Sequence, residues 1–313
     1  MFYQNCNWRV AFKVNRKFVK FPNPKNSPGE YLRCPSDNSC IELSVIIPTS
    51  DAYRDGYFPR LIEQIQKQIF SDFELIVVRG DPRQGRAINV GASLAQGKYI
   101  LTLDDDTSLP SAEIFGTLIN VMESHPEIGL AGGNNVIPTN ASVFVRRVMK
   151  ELPRRSWKPV EKITDSDFAE HPCMIMRNKE FKAVGGENEL IPRGLDPYLR
   201  EQFRKFGKRV VIVPGAFYNH MPPKDLVKLS RQFFRNGRNA AFTNLNYPHW
   251  VIETPSDHGP FNARVPLSIR LLRFPFRIMK AFIMGKPFLV LSEVTYAMGF
   301  AYELSLRKFQ VQE

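Results

Sequence analysis

Three consecutive carboxylates, Asp104, Asp105 and Asp106, close the run YILTLDDDT. At a strand end such groups repel one another, and burying them together is costly unless a cation or hydrogen bonds compensate. A hard divalent cation such as Mg2+ or Mn2+ is the economical compensation, because it takes carboxylate oxygens and bridges to substrate phosphates. An acidic turn or helix cap after a strand is the competing explanation. A further aspartate, Asp196, precedes Pro197, and Asp at an N-cap with Pro at N1 favours a helix start. Beyond His220 come Lys224, Lys228, Arg231, Arg235 and Arg238, spaced to lie on one face of a helix. A solvated charged face is the usual meaning of such a run.

The elements around these residues read as α/β. LSVIIP (43–48) and ELIVVR (74–79) are continuously apolar, as expected for strands buried on both faces of a parallel sheet. Between them Phe58, Leu61, Ile62, Ile65 and Ile69 recur at helical spacing. Residues 87–96, followed by Gly97, read as a second helix with a glycine stop, and YILTLD (99–104) is the third strand. Strand, helix, strand, helix, strand implies right-handed parallel crossovers with the ligand site at the strands' carboxyl ends, where the aspartates fall. PCMIMR (172–177) and RVVIVP (209–214) are further strands, flanking a helix that carries Leu199, Phe203 and Phe206. Residues 1–40, basic and then rich in Pro, Asn and Ser, read as an arm outside the core. Residues 41–222 then form the main domain and 223–313 a helical region.

Composition narrows the classes. The chain has 313 residues, 43% hydrophobic and 24% charged, which fits a folded protein. An excess of 43 Lys plus Arg over 31 Asp plus Glu, net +12, points to an anionic partner: nucleic acid, an acidic membrane surface or a phosphorylated substrate. Cys6, Cys34, Cys40 and Cys173 have neither zinc-site spacing nor the density of a disulfide scaffold, so reduced thiols are expected. The cation-interrupted N-terminal stretch lacks the apolar core of a signal peptide, and no apolar run reaches about 18 residues, so neither secretion nor a membrane span is expected. No GxGxxG, Walker A or GxSxG motif occurs.

SVIIPT (44–49), GDPRQGRAINVGASLAQGKYILTLDDD, VGGENELIPRGLDPYLREQFRKFGKRVVIVP, NHMPP and RQFFRNGR, in this order and spacing, resemble a family 2 glycosyltransferase, of the polysaccharide type found in bacteria. The resemblance covers roughly residues 41–240. It implies the GT-A fold, Rossmann-like with a mixed, mostly parallel sheet flanked by helices, and here a C-terminal amphipathic helical extension. It also implies site roles. Pro48 and Thr49 would end the first strand at the nucleobase pocket, with Asp81 facing base or ribose. Arg86 and Asn89 would hold the donor nucleotide, and Gly91 would allow close packing. Asp106 would be the direct ligand of Mn2+ or Mg2+, Asp104 would point to ribose or metal, and Asp105 would belong to the donor site without a catalytic role. Asp196 would be the catalytic base and His220 a further metal or diphosphate contact. Arg231 and Arg235 fall where the family contacts the donor diphosphate or acceptor loop. The family base often sits in a Glu-Asp pair, whereas Leu195 precedes Asp196 here, so the residue that orients the acceptor differs.

Such a transfer needs a stabilised diphosphate leaving group and removal of a proton from an acceptor hydroxyl. One aspartate opposite the leaving group leads to direct displacement with inversion at the anomeric carbon. The expected donor is a nucleotide sugar, UDP-linked by preference, and the acceptor a saccharide or lipid-linked saccharide. From Asp257 to Glu293 no acidic residue intervenes, while Arg264, Arg270, Arg273, Arg277, Lys280 and Lys286 alternate with Leu271, Leu272, Phe274, Phe276, Ile278, Met279, Phe282 and Ile283. That composition suits a helix lying on an anionic bilayer, and buried core helices are its ordinary alternative. The expected location is cytoplasmic, peripheral on the inner face of the cell membrane. The competing functions are a sugar nucleotidyltransferase, which wants a glycine-rich basic loop where TSDAYRDGYFPR offers only Arg54 and Gly56, and a basic nucleic-acid-binding protein. The second is disfavoured, because the cations gather in C-terminal helices and not around a reader module.

Overall fold

The computed structural model describes residues 19–21, 29–34, 41–253, 257–259 and 264–310. In chain order the elements begin with β1 (Val19–Phe21), β2 (Glu30–Cys34), β3 (Leu43–Thr49), α1 (Tyr57–Gln66), β4 (Phe73–Arg79), α2 (Gln84–Leu94) and β5 (Tyr99–Thr102). They continue with β6 (Thr107–Ser108), α3 (Ile114–Ser124), β7 (Ile128–Asn135), α4 (Val143–Glu151), β8 (Thr164–Asp165), β9 (Met174–Arg177), α5 (Asn178–Ala183), α6 (Leu195–Lys205) and β10 (Arg209–His220). Three long helices close the chain: α7 (Leu226–Asn246), α8 (Leu267–Ile283) and α9 (Pro287–Gln310).

The strands form one sheet in the order β1-β2-β4-β3-β5-β9-β7-β10-β6, with β8 beside β10. β3, β4 and β5 are parallel, β7 and β10 are parallel, and β9 runs antiparallel between the two groups. This is the mixed, mostly parallel sheet with flanking helices that the sequence predicts. Strand alternation sends Val45, Ile47, Leu75 and Val77 into a core with α1 and α3, and Ile46, Ile76 and Val78 into a second core with α2 and α6. Gly91 is what lets α2 reach the sheet, since a Cβ there would lie 2.5 Å from Ile46 Cγ2.

Three expectations need correction. β2 lies within the span read as an outer arm, yet it pairs with β4 and buries Tyr31 and Leu32. An ion pair from Arg33 to the buried Glu74 of β4 fastens it. β1, also within that span, pairs antiparallel with β2. Residues 1–18, 22–28 and 35–40 lie outside the described residues, Cys6 and Cys40 among them, and Cys173 is a buried free thiol. The helical pattern through Ile69 runs one turn too far: α1 ends at Gln66 and Ile69 is 72% exposed. Likewise Phe206 lies beyond α6 and is 48% exposed, whereas Leu199 and Phe203 are buried, worth roughly 1.5–3 kcal/mol each.

The C-terminal helices pack on a third, small core in which Val148 and Leu152 meet Leu229 of α7, with Phe233, Phe288 and Leu289 around them. α7 and α9 cross in backbone contact: a Cβ at Gly237 would lie 1.9 Å from Tyr296 O, and one at Gly299 2.0 Å from Phe234 O. Among the described residues no helix is long and apolar enough to cross a membrane.

Candidate active site

The aspartate triplet leaves the carboxyl end of β5 and turns at once into β6, whose pairing places the rest of the site. His220, the last residue of β10, stands opposite Thr107, and Asn219 stands opposite Ser108. β10 reaches that position through an irregularity between Ile212 and Phe217, where Gly215 takes a φ of 78°. Asn135 at the end of β7 accepts the His220 backbone N–H through Oδ1 at 3.0 Å, and Met221 N–H donates to Asp106 O at 3.2 Å. His220 Nε2 consequently lies 3.1 Å from Asp106 Oδ1 and 3.8 Å from Asp104 Oδ2.

Asp104, Asp106 and His220 each offer a ligand atom, all within 4.8 Å of one another. Two carboxylates and one imidazole suit a divalent cation such as Mn2+ or Mg2+ that keeps positions open for phosphate or water. The charges around the triplet differ by residue. Burial pushes the Asp104 carboxyl up to about 6 despite His220 nearby. Burial, and then the charge of Asp106, push Asp105 up to about 7. Burial would raise Asp106 as well, but His220 and Arg54 outweigh it and hold this carboxyl well below the usual range.

Arg54 is absent from the site expected on sequence. Its Nη2 and Nε donate to Asp106 Oδ2 at 2.8 and 3.2 Å, and Nε lies 3.4 Å from Asp105 Oδ1. It gets there through a left-handed turn in which Ala52, Arg54 and Asp55 have φ of 57°, 46° and 55°. Non-glycine residues in that region cost about 1–3 kcal/mol each and persist only where their surroundings enforce them. Thr49 enforces part of it: its hydroxyl donates to Asp105 Oδ2 at 2.7 Å and accepts Ala52 N–H at 3.0 Å. Gln84 is a second addition, donating from Nε2 to Asp104 Oδ1 at 2.9 Å.

A cavity of about 320 Å3 opens on Asp106, lined by Arg54, Lys224, Lys228, Arg231 and Arg235 among others. Lys228 is paired with Asp55 at 2.7 Å. Arg231 and Arg235 are exposed, and among the described residues neither meets a carboxylate. Arg155, half-buried behind them, reaches Gln232 Oε1 at 3.3 Å; burial depresses its pKa and the charge of Asp106 opposes that fall.

The other expected residues sit at the same sheet edge and are engaged with protein partners. Asp81 and Arg86 bind each other, with Arg86 Nη2 and Nε donating at 2.8 and 2.9 Å. Asn89 is buried and brackets residue 187, its Nδ2 donating to Glu187 O at 2.9 Å and its Oδ1 accepting Glu187 N–H at 2.8 Å. Pro48 stands half-buried in β3, beside Thr49. Asp196 is not the N-cap that Asp before Pro197 suggested: the left-handed Gly194 caps α6, Asp196 lies in its first turn, and its negative charge acts on Asp104. His171 and Glu187, which sequence reasoning did not single out, pack behind it.

No family model and no curated protein sequence matches the chain. Among solved structures, the mannosyltransferase PcManGT from Pyrobaculum calidifontis, in complex with GDP-Man and Mn2+, aligns with a TM-score of 0.55 at 12% identity over 95% of this chain and 92% of that chain. S. aureus TarS 1-349 in complex with UDP-GlcNAc aligns with a TM-score of 0.48 at 15% identity over 86% of this chain and 92% of that chain. The chain therefore has the fold of the Pyrobaculum mannosyltransferase, a helix-flanked mixed sheet, at an identity that leaves its chemistry to be argued from its own side chains.

Proposed function

We propose that the chain is a metal-dependent glycosyltransferase of the GT-A, family 2 type, moving a hexose from a nucleotide sugar to a hydroxyl of a saccharide or lipid-linked saccharide with inversion. The observation that carries this reading is the convergence of Asp104, Asp106 and His220 at the strand ends beside a cation-lined cavity. Mn2+ or Mg2+ held by Asp106 and His220, with Asp104 at its side, supplies positive charge for a departing diphosphate. Arg231 and Arg235 add charge along the cavity, and Pro48, Thr49 and Asp81 edge the base and ribose pocket. Arg86 shapes that pocket through Asp81, and Asp105 fixes the turn that carries Arg54. Asp196, from a separate element, removes the acceptor proton. The structural relatives were solved with GDP-Man and with UDP-GlcNAc, so both nucleotides belong in the test although a UDP-sugar is the preferred donor.

The three-part organisation is part of this reading: residues 41–222 carry the chemistry, 1–40 flank it, and 223–313 supply cavity cations and a surface for an anionic membrane. On α8, Leu272, Phe276, Met279 and Ile283 form an exposed apolar row. Arg273, Arg277 and Lys280 run alongside, while Phe274, Ile278 and Ala281 face inward. An apolar row edged by cations is the pattern of a helix lying in a bilayer interface, which would place the enzyme on the inner face of the cell membrane.

A thermal-shift screen of UDP-, GDP- and dTDP-sugars with and without Mn2+ tests the assignment, because a ligand at 100 times its Kd stabilises by about 2.7 kcal/mol. Metal-dependent stabilisation is expected, lost in Asp106→Asn and His220→Ala. Asp196→Asn is expected to keep donor binding and lose transfer; near wild-type turnover in that variant would remove the base assignment.

A further inference from the structure

His171 sits in a short turn before β9 and has both ring nitrogens committed. Nδ1 lies 2.5 Å from Asp196 Oδ1, and Nε2 lies 2.7 Å from Glu187 Oε1. The His171 backbone N–H donates to the same Asp196 oxygen at 2.8 Å. The ring side chain is 3% exposed and that of Glu187 is 0% exposed. Two ring nitrogens facing two carboxylates both act as donors only in the imidazolium. Burial opposes that charge, but Asp196 and Glu187 outweigh it and keep the ring protonated well above the usual histidine range. Arg200 on α6 acts on both carboxylates, and Asp104 feels the ring from the metal side.

This unit is anchored at both ends. Asn89 of α2 brackets the backbone of Glu187, as described above. On the other side, Thr107 Oγ1 donates to Pro172 O at 2.9 Å, tying the His171 turn to the strand that begins just after Asp106. Asp196 is thus connected through neighbouring groups to the ligand set without touching it. Its Oδ1 is saturated by two donors, its side chain is 30% exposed, and among the described residues no hydrogen-bond donor reaches Oδ2.

We propose that Asn89, Glu187 and His171 form a buried positioning chain for Asp196, in which His171 fixes Oδ1 and thereby aims Oδ2 at the acceptor hydroxyl. The proposal rests on the glycosyl-transfer reading above. In the step it serves, the acceptor O–H bond breaks as its oxygen bonds to the anomeric carbon. The proton goes to Asp196 Oδ2, and the nucleoside diphosphate leaves with the electrons of its bond to that carbon. His171 touches none of the reacting atoms. It fixes the carboxylate plane and, by its charge, keeps Asp196 ionised and ready to accept a proton.

The test uses the full chain with Mn2+ and UDP-GlcNAc or GDP-mannose, following diphosphate release to water and to soluble alkyl glycosides, together with calorimetric donor binding. His171→Ala is expected to lower kcat by about 10²-fold with donor affinity unchanged. His171→Asn, which keeps an N–H near the Nδ1 position, is expected to recover part of that loss. The acidic limb of its kcat/KM profile moves to higher pH, because the buried Asp196 has lost its cation. Glu187→Gln, which is isosteric and conserves packing, is expected to shift the limb as well. Transfer within threefold of wild type in His171→Ala, or an unmoved limb in both conservative variants, overturns the positioning chain while leaving the glycosyltransferase reading intact. Absence of metal-dependent donor binding and turnover in the wild type overturns both.

Discussion

Arg54 and Asp106 share one carboxylate oxygen, Oδ2, which takes two guanidinium donors, while the other oxygen of Asp106 faces His220. A single aspartate therefore divides between a fixed cation and the candidate ligand set. Arg54→Met removes the fixed charge and leaves the triplet without its internal compensation. The variant is expected to melt lower than wild type in EDTA and to gain more from Mn2+. Melting curves in the two conditions check this, and equal Mn2+ shifts in both proteins would count against it.

Asp105 makes a pH prediction. Its carboxyl is raised from 3.8 to about 7, so the folded chain holds this proton more tightly than the unfolded chain does. The stabilisation is fully present below the unfolded value and is lost as pH rises through about 7. Asp105→Asn abolishes that titration, so its melting temperature relative to wild type should climb between pH 4 and pH 8 without metal. A constant difference across that range would refute the assignment.

Gly91→Ala introduces a methyl 2.5 Å from Ile46 Cγ2 at the interface of α2 with β3. Overpacking of this kind costs typically about 1–3 kcal/mol, more than the roughly 1 kcal/mol that alanine gains over glycine within a helix. A lower urea midpoint at unchanged slope is expected, with partial recovery when Ile46→Val is added. A variant as stable as wild type would show that α2 can lift away freely.

The exposed row on α8 predicts salt-sensitive binding to vesicles. Phe282, at 77% exposure, is flanked by Lys280 and Lys286, in a stretch with no acidic residue between Asp257 and Glu293. Flotation with anionic vesicles is expected to carry the protein upward at low salt, and zwitterionic vesicles to carry less. Phe276→Ser combined with Met279→Ser should weaken both. Absence from both vesicle types would leave the row as a surface for something other than lipid.

The sheet was legible wherever β-branched residues ran continuously, as in Val45–Ile47 and Ile76–Val78. β7 was not, because IGLAGGNN looks like a turn: Gly132 serves close approach, with a Cβ there 2.6 Å from Ala169 Cα. The buried Asn134 completes that strand by donating to Val213 O at 2.7 Å. The triplet could be singled out locally, since a strand end marks it, whereas a lone histidine carries no such mark and the role of His220 came only with the family resemblance. Arg54 depended on three left-handed residues within four positions, Ala52, Arg54 and Asp55, for which TSDAYRDG carries no glycine signal before Gly56. His171 and Glu187 were invisible for another reason: their partners lie 25 and 16 residues away in sequence, and only folding brings the three charges together. Asn89, where the resemblance implies a donor contact, commits both polar atoms of its side chain to the segment around Glu187 and Glu189.

The glycine crossing of α7 and α9 sets a mechanical condition on the whole molecule. Backbone meets backbone at Gly237 and Gly299, and beside that crossing Phe234 packs on Tyr302 and Arg238 Nε donates to Glu303 Oε2 at 2.9 Å, so side chains brace the two helices together. α7 carries Arg231 and Arg235, and α9 follows directly on α8, so tilting the terminal hairpin must turn the cationic wall of the cavity with it. If α8 lies on a bilayer as proposed, that surface would set the height and angle of the cavity mouth. A bulkier residue at position 237 or 299 would change that geometry without altering any group at the site.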